Sequence, residues 1–348
     1  MIGSAFKGLG RGFAESLFQS QASPFIGLFI GILATGLIQS SSTTTSLVVG
    51  MVAAGTFGSD PKLAVAAAVP YIMGANIGTS ITNTIVSLGH IVNREEFKRA
   101  FSASVVHDFF NILAVVVIFP FEVIFGVISS AAYSLSSVLV GAGGGTFTSP
   151  VKMITKPTVK WIEALVQKQT IIDSDVLLLV AALSFLFFSL RNLTKLIKSL
   201  VMLRLQAFFD THIFRTTLRA MFFGVIITIL VQSSSITTSL VIPLAGAGIL
   251  NLRQIFPYTL GANIGTTVTS LLASMVSGTI APLAVALSHL IFNILGIGVL
   301  WPIKKVREIP IHLAEWFSDL ATKNKLYPLL YIFIVFFVIP LSLISIVR

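Results

Sequence analysis

Residues 39–46 read Gln39-Ser-Ser-Ser-Thr-Thr-Thr-Ser46, and the run Gln232-Ser-Ser-Ser-Ile-Thr-Thr-Ser239 repeats them with one change at the fifth position. Each run follows an apolar stretch, which begins at Gly31 in the first copy and at Gly224 in the second. Self-similarity of this kind is the sequence signature of a repeat architecture. We therefore interpret the chain as a duplicated unit.

Two further motifs recur downstream in the same order. Gly74-Ala-Asn-Ile-Gly-Thr79 returns unchanged as Gly261-Ala-Asn-Ile-Gly-Thr266, and His107-Asp-Phe-Phe-Asn111 returns as His289-Leu-Ile-Phe-Asn293. Three motifs in one order, at similar spacing, are not a coincidence. They define the length of the repeated unit.

The composition indicates a membrane protein. Of the 348 residues, 55% are hydrophobic and 10% are charged, whereas an average soluble domain has about 25% charged residues. The mean hydropathy is +0.95. Several almost charge-free stretches approach the roughly 20 residues that cross a bilayer, namely 24–38, 105–119, 176–190, 220–231, 285–300 and 327–346.

The net charge of +10 does not indicate nucleic-acid binding, because the basic residues lie in loops between apolar stretches and not on one soluble face. The positive-inside rule instead places the basic segments 191–219 and 304–325 in the cytoplasm, although the basic segment 152–168 would then lie outside. The chain has no cysteine, so disulfides and thiolate metal sites are excluded.

The predicted organisation has five parts. They are an N-terminal amphipathic helix (1–23) in place of a signal peptide, the first repeat (24–126), a linker with an amphipathic stretch and one transmembrane span (127–219), the second repeat (220–303), and an amphipathic segment followed by a C-terminal transmembrane helix (304–348). The predicted fold is an all-α integral membrane protein. Its two repeats would have inverted topology, with re-entrant or broken helices that carry the Gln-Ser-Ser-Ser motifs.

Hydroxyl and amide side chains at the end of an apolar segment are costly in hydrocarbon unless each is hydrogen-bonded. A single run of this kind commonly serves helix packing. Two equivalent runs favour a substrate cavity, because repeat-built transporters break helices near the midplane and direct half-helix N-termini at the substrate. Gln39 to Ser42 and Gln232 to Ser235 would then offer hydroxyl and backbone N–H donors to an anion.

The Gly-Ala-Asn-Ile-Gly-Thr motifs are interpreted as cation ligands. Their glycines would let the helix unwind, and Asn76, Thr79, Asn263 and Thr266 would supply neutral oxygens that suit Na⁺. The alternative is a glycine-rich helix crossing with a buried asparagine.

The third motif places His107 and Asn111 on one helix face, and His289 and Asn293 on another. For each histidine the alternative is a simple interhelical hydrogen bond. Asp108 has no counterpart in the second repeat. Because intramembrane carboxylates usually mark ion pathways, we expect a cation there.

The chain has no phosphate loop, no dinucleotide fingerprint and no His-Glu-x-x-His motif, so it is not expected to be an enzyme. Energy would come from an ion gradient. Na⁺ is favoured over H⁺ because the duplicated core is rich in neutral oxygens and poor in titratable groups. No cofactor other than Na⁺ as coupling ion, and no transition metal, is expected.

These residues resemble the type II sodium/phosphate cotransporters, whose mark is a duplicated Gln-Ser-Ser-Ser motif in inverted repeats. The resemblance covers both repeats and extends to Met73-Gly-Ala-Asn-Ile-Gly-Thr-Ser-Ile-Thr-Asn-Thr-Ile-Val86 and to Phe97-Lys-Arg-Ala-Phe101. It implies a symporter with phosphate at the two hairpin tips and more than one Na⁺ nearby. Asp108 would make the transport cycle electrogenic. The absence of the long cysteine-bearing loop of animal members indicates a prokaryotic plasma membrane.

The implied phosphate site comprises Ser40, Ser41, Ser42, Thr43, Ser233, Ser234 and Ser235. The implied sodium ligands are Gln39, Thr45, Asn76, Thr79, Asp108, Asn111, Gln232, Thr238, Asn263, Thr266 and Asn293. The function expected is sodium-coupled transport of inorganic phosphate by alternating access. The alternatives are transport of another oxyanion such as sulfate, or a channel or membrane scaffold. Expected partners are phosphate, Na⁺ and the lipid bilayer, without nucleic acid.

Overall fold

The computed structural model describes residues 23–53, 55–139, 213–275 and 279–347, together with isolated positions between 157 and 184. Within these ranges the ordered elements are all helices, as predicted. The predicted N-terminal amphipathic helix (1–23) and the predicted linker span near residues 176–198 lie almost wholly outside the described residues.

In its described residues the first repeat contains five α-helices. In chain order they are α1 (Pro24–Ile38), α2 (Ser41–Ala53), α3 (Pro61–Gly78), α4 (Ile81–Ser87) and α5 (Arg94–Phe125), and α6 (Val127–Leu139) follows directly after the repeat. Asp60 begins α3, because its carboxylate accepts the backbone N–H groups of Lys62 and Leu63 at 2.8 and 3.0 Å. A short 3₁₀ turn, Leu88–His90, leads from α4 towards α5.

The second repeat follows the same order. Its helices are α7 (Thr217–Val231), α8 (Ser234–Gly246), α9 (Leu252–Met275) and α10 (Ile280–Leu300). After it come α11 (Lys304–Lys323), α12 (Leu326–Phe333), a π-helical turn (Ile334–Val338) and α13 (Ile339–Val347). The Gln-Ser-Ser-Ser motifs lie at the α1–α2 and α7–α8 junctions.

Four helical segments in the described ranges are long and apolar enough to cross a membrane: Pro61–His90, Arg94–Phe125, Ile280–Leu300 and Leu326–Ile346. Large apolar side chains on the outside of the helices, such as Phe125, Phe222 and Phe333, are more than half exposed. Such a surface belongs in lipid, so the chain is a multi-pass membrane protein.

The glycine motifs serve helix packing. A Cβ atom at Gly74 would collide with the carbonyl oxygen of Leu28 in α1, and one at Gly261 would collide with that of Met221 in α7. Glycine therefore lets α1 lie against α3, and α7 against α9. The predicted unwinding is wrong for the second motif, because α9 passes through residues 261–266 without a break, whereas in the first motif α3 ends at Gly78. The chain leaves the helix only at Thr79 and Ser80, before α4 begins.

The two repeats share one core. The rings of Phe110 in α5 and Phe256 in α9 pack edge to face with their centroids 5.8 Å apart. Phe256 also packs against Trp301, with their ring centroids 5.6 Å apart. The motif residues of both repeats therefore meet in one buried region.

Candidate functional site

Both Gln-Ser-Ser-Ser motifs make the same sharp turn. Gln39 and Gln232 have φ angles of 57° and 55°, and they are the only non-glycine residues with positive φ in the described part of the chain. Each caps the preceding helix, with its backbone N–H donating to Thr35 at 2.7 Å or to Thr228 at 2.6 Å. The left-handed conformation costs a non-glycine residue roughly 1–2 kcal/mol. Strain of this kind at two equivalent positions indicates a functional constraint.

The serine after each glutamine begins a new helix. The hydroxyl oxygens of Ser40 and Ser233 accept the backbone N–H three residues further on, at 3.2 and 3.4 Å. The first N–H groups of a helix have no partner inside it and favour a negative charge. Ser41 and Ser234, the first residues of α2 and α8, are each only 3% exposed. Each tip therefore combines backbone N–H groups with hydroxyls in a nearly buried place.

At the first tip the hydroxyls form a cluster. Ser40 Oγ lies 2.8 Å from Thr43 Oγ1 and 3.2 Å from Ser42 Oγ. The Gln39 side chain bridges the tip, because its Nε2 donates to the Gly36 carbonyl and its Oε1 accepts the Thr82 hydroxyl at 2.7 Å. Sequence reasoning missed Thr82, although it lies in a segment that carries the family resemblance.

The second tip is bonded to the first repeat. Ser235 Oγ donates to the Thr79 carbonyl at 3.5 Å, at the break between α3 and α4. Thr238 Oγ1 and Ser239 Oγ lie 2.9 and 3.1 Å from Asn83 Oδ1. The structure thus brings the predicted residue Ser235 to Thr79, and it brings Thr238 to an asparagine that the sequence motifs did not single out.

Four buried asparagines join the repeats in a closed ring of hydrogen bonds. Asn76 Nδ2 donates to Asn293 Oδ1 at 2.5 Å, and Asn293 Nδ2 donates to the Asn263 carbonyl at 3.1 Å. Asn263 Nδ2 donates to Asn111 Oδ1 at 2.8 Å, and Asn111 Nδ2 donates to the Asn76 carbonyl at 3.0 Å. All four were predicted as sodium ligands. In this conformation their side-chain amides donate to one another's side-chain and backbone oxygens.

The two histidines of the third motif differ in their contacts. His107 Nε2 lies 2.5 Å from Asn263 Oδ1, so this residue makes an interhelical hydrogen bond. His289 is fully buried, and neither of its ring nitrogens has a hydrogen-bond partner in the described structure. The asparagine ring therefore obeys the repeat symmetry, whereas the histidines do not.

Asp108 is a buried acid with one carboxylate oxygen that lacks a hydrogen-bond partner in the described structure. Its side chain is fully buried, and Oδ2 accepts the Tyr331 hydroxyl at 3.0 Å. Oδ1 accepts no hydrogen bond among the described residues. The Ser80 hydroxyl lies beside the carboxyl group and is also bonded to the Ile77 carbonyl at 3.0 Å. A buried anionic oxygen without a donor is costly, and a cation beside it would remove that cost.

Most of the remaining predicted sodium ligands already form hydrogen bonds within the protein. The hydroxyls of Thr79 and Thr266 donate to backbone carbonyls one helical turn earlier, at 3.1 and 3.0 Å. The Thr45 hydroxyl is buried without a partner in the described structure. Gln232 forms the second tip through its backbone, as described above. The structure does not gather all eleven predicted ligands around one point.

A second buried acid has a structural role. Glu122 accepts the backbone N–H of Ile128 at 2.6 Å and that of Ser129 at 3.2 Å, directly after the left-handed turn at Gly126. Its carboxylate therefore caps α6. Both of its oxygens accept hydrogen bonds, whereas Oδ1 of Asp108 accepts none in the described structure.

Together these features define a class: a helical multi-pass membrane protein with duplicated hairpin tips and a buried carboxylate that has one oxygen open. The chain belongs to the Na⁺/Pi-cotransporter family, whose sequence profile matches residues 1–147 and 185–320. This finding confirms the resemblance drawn from the motifs.

Named relatives agree with this assignment. The chain is 32% identical over 434 residues to sodium-dependent phosphate transport protein 2B of Homo sapiens, with 98% of this chain and 62% of the relative covered. It is 32% identical over 415 residues to sodium-dependent phosphate transport protein 2A of Ovis aries, with 98% and 64% covered. The chain thus spans less than two thirds of the length of these relatives. No solved structure matches it.

Proposed function

We propose that the protein is a sodium-coupled symporter of inorganic phosphate that works by alternating access in the plasma membrane of a prokaryote. The observation that carries the proposal is the pair of equivalent hairpin tips, each with a glutamine in the left-handed conformation and a serine that begins the next helix. The names of the relatives add sodium-dependent phosphate transport.

The tips suit an oxyanion because they offer donors without a fixed positive charge. Ser41 and Ser234 lie at helix N-termini, where backbone N–H groups and the helix dipole favour an anion. Ser40, Ser42 and Thr43 add hydroxyls at the first tip, and Ser233 and Ser235 add them at the second. A site of neutral donors holds an anion and can release it again, as transport requires.

The helix ends support inverted repeats. Lys98, near the start of α5, forms an ion pair with Asp319 of α11 at 2.5 Å, and Arg253, near the start of α9, forms one with Glu308 of α11 at 2.9 Å. Both helices therefore begin at the same end of the molecule. The first-repeat counterpart of α9 is the α3–α4 pair, because both carry the Gly-Ala-Asn-Ile-Gly-Thr motif. The α3–α4 pair ends at this end of the molecule, just before α5, whereas α9 begins there. The equivalent helices run in opposite directions, which is the arrangement of alternating-access transporters with inverted repeats.

The short helices support the re-entrant part of the proposal. At about 1.5 Å per residue, α1 and α2 are each about 20 Å long, which is less than the roughly 30 Å of a hydrocarbon core. The same holds for α7 and α8. Each tip therefore ends inside the membrane region, where only a cavity or packed protein can accommodate irregular backbone.

Asp108 is the proposed anchor for a coupling Na⁺. Its carboxylate is the one described acidic group in the duplicated motifs, and its second-repeat counterpart is Leu290. A cation bound at this carboxylate adds its positive charge to what each cycle carries across the membrane, which is proposed to make the cycle electrogenic. The motifs offer no proton relay and no hydrolytic apparatus, so the energy is proposed to come from the ion gradient and not from an enzymatic step.

Equilibrium binding to the purified protein in lipid nanodiscs tests the proposal. Radiolabelled phosphate should bind saturably in Na⁺ and much more weakly when K⁺ or choline replaces it. Sulfate at equal concentration should displace little of it. Stronger binding of sulfate than of phosphate would assign the scaffold to another oxyanion, and phosphate binding that ignores Na⁺ would contradict coupling.

A further inference from the structure

We propose that Tyr331 is a positioning residue for the coupling cation: its hydroxyl holds Oδ2 of Asp108, so that a cation binds through Oδ1. The contact joins the C-terminal membrane helix to the motif helix α5 across 3.0 Å. Tyr331 lies outside both repeats and outside the segments matched by the family profile. The inference deepens the proposed function and rests on it for the identity of the cation.

Packing fixes the position of the Tyr331 ring. Its centroid lies 4.9 Å from that of Phe317, 5.8 Å from that of Phe336 and 6.5 Å from that of Phe109. These three rings come from α11, the π-helical turn and α5. A ring held from three sides cannot easily turn its hydroxyl away from Asp108.

The backbone after Tyr331 is unusual. The π-helical turn Ile334–Val338 begins three residues later, and such turns are frequent at functional sites. Within it Phe336 is fully buried, whereas much of the helix from Leu326 to Ile346 is exposed. The turn places Phe336 inward against Tyr331, with their ring centroids 5.8 Å apart.

The chemistry at Asp108 assigns different roles to its two oxygens. Oδ2 takes a neutral donor, and Oδ1 is buried without any donor in the described structure. The Ser80 hydroxyl also lies beside this carboxyl group and is bonded to the Ile77 carbonyl at 3.0 Å. A buried carboxylate oxygen close to a hydroxyl oxygen makes a place that suits a small hard cation such as Na⁺. Tyr331 fixes the carboxylate plane that defines this place.

The test compares Tyr331→Phe with Tyr327→Phe in proteoliposomes. The first change removes the hydroxyl and keeps the ring. The control changes an exposed tyrosine on the same helix. The Na⁺ concentration that half-activates phosphate uptake should rise about tenfold in Tyr331→Phe, which corresponds to about 1.4 kcal/mol, and should stay at the wild-type value in Tyr327→Phe. The maximal rate at saturating Na⁺ should be retained.

A double variant distinguishes an effect of Tyr331 through Asp108 from a general loss of stability. Radiolabelled Na⁺ binding is measured for Asp108→Asn with and without Tyr331→Phe. The tyrosine change should add no further loss there, because a residue that acts through Asp108 has nothing left to position. Phe317→Leu, which removes the nearest ring but keeps the hydroxyl, should shift Na⁺ affinity in the same direction by a smaller factor.

The outcomes distinguish the proposed function of the protein from the role proposed for Tyr331. A wild-type protein that binds Na⁺ but carries no phosphate would overturn the proposed function and leave the Na⁺-binding comparison valid. Unchanged half-activating Na⁺ in Tyr331→Phe, or an equal loss of Na⁺ binding with and without the Asp108 carboxylate, would overturn the role assigned to Tyr331.

Discussion

The side-chain amide of Asn76 donates a hydrogen bond to Oδ1 of Asn293 at 2.5 Å and so joins the first repeat to the second inside the membrane region. The matching bond from Asn263 to Asn111, at 2.8 Å, joins them in the opposite sense. Because the ring is buried and closed, removal of one member leaves its neighbours without partners.

Asn293→Ala should therefore destabilise the fold by about 1–3 kcal/mol, the usual cost of an unsatisfied buried polar group. Thermal unfolding in detergent would measure the effect. Ser137→Ala, which changes an exposed hydroxyl bonded only within its own helix, is the control. The double variant Asn76→Ala with Asn293→Ala should cost less than the sum of the single changes, whereas strict additivity would show that the two residues do not form one network.

The glycine contacts predict a second effect on stability. Gly74→Ala should destabilise the protein, because its Cβ would collide with the Leu28 carbonyl and backbone cannot yield as a side chain does. Gly50→Ala is the matched control: Gly50 is an exposed helical glycine, and a Cβ added there would meet nothing within 4 Å. Alanine there should stabilise the helix by roughly 0.5–1 kcal/mol. Equal melting temperatures for the two variants would contradict the packing role of the motif.

The strained glutamines should separate stability from activity. Gln39→Gly relieves the left-handed strain, worth roughly 1–2 kcal/mol, but removes the bond from Thr82. Gln39→Ala keeps the strain and removes the same bond. The glycine variant should therefore unfold at the higher temperature, and neither variant should transport at the wild-type rate. Full uptake by Gln39→Gly would show that the side chain has no part in transport.

The tip serines should control phosphate affinity. Ser41→Ala and Ser234→Ala should each raise the phosphate KM or abolish uptake, since a lost hydrogen bond to a charged group is worth about 1.5–3 kcal/mol. Ser46→Ala serves as the control, because its hydroxyl bonds to the Ser42 carbonyl within α2. Initial rates against phosphate concentration give the comparison. Wild-type kinetics in both tip variants would remove the tips from the site.

The charge on Asp108 should govern coupling and not phosphate binding. Asp108→Asn should leave phosphate binding at saturating Na⁺ within about twofold of wild type, because the described structure shows no hydrogen bond between this carboxylate and a tip serine. Its transport current per phosphate should fall, since the Na⁺ held by this carboxylate would no longer be carried with phosphate. Currents and tracer flux recorded on the same proteoliposomes provide that ratio. An unchanged ratio would refute the role of Asp108.

Sequence alone predicted the helical membrane class and the family, and it located the tips where the structure has its two strained glutamines. It misjudged the glycines, because close helix contact and unwinding require the same residue and only the packing partner, here Leu28 or Met221, decides between them. It predicted the asparagines but not their ring. That ring depends on a contact between positions 76 and 293, which no local pattern encodes. Tyr331 carries no motif at all.

Uptake of radiolabelled phosphate into proteoliposomes that contain the purified protein decides whether the chain is a sodium-coupled symporter. An inward Na⁺ gradient is compared with an equal gradient of K⁺ or choline. We expect saturable accumulation of phosphate above its external concentration with Na⁺ alone. Accumulation that is independent of Na⁺, or no accumulation by folded protein under any gradient, would contradict sodium-coupled phosphate transport.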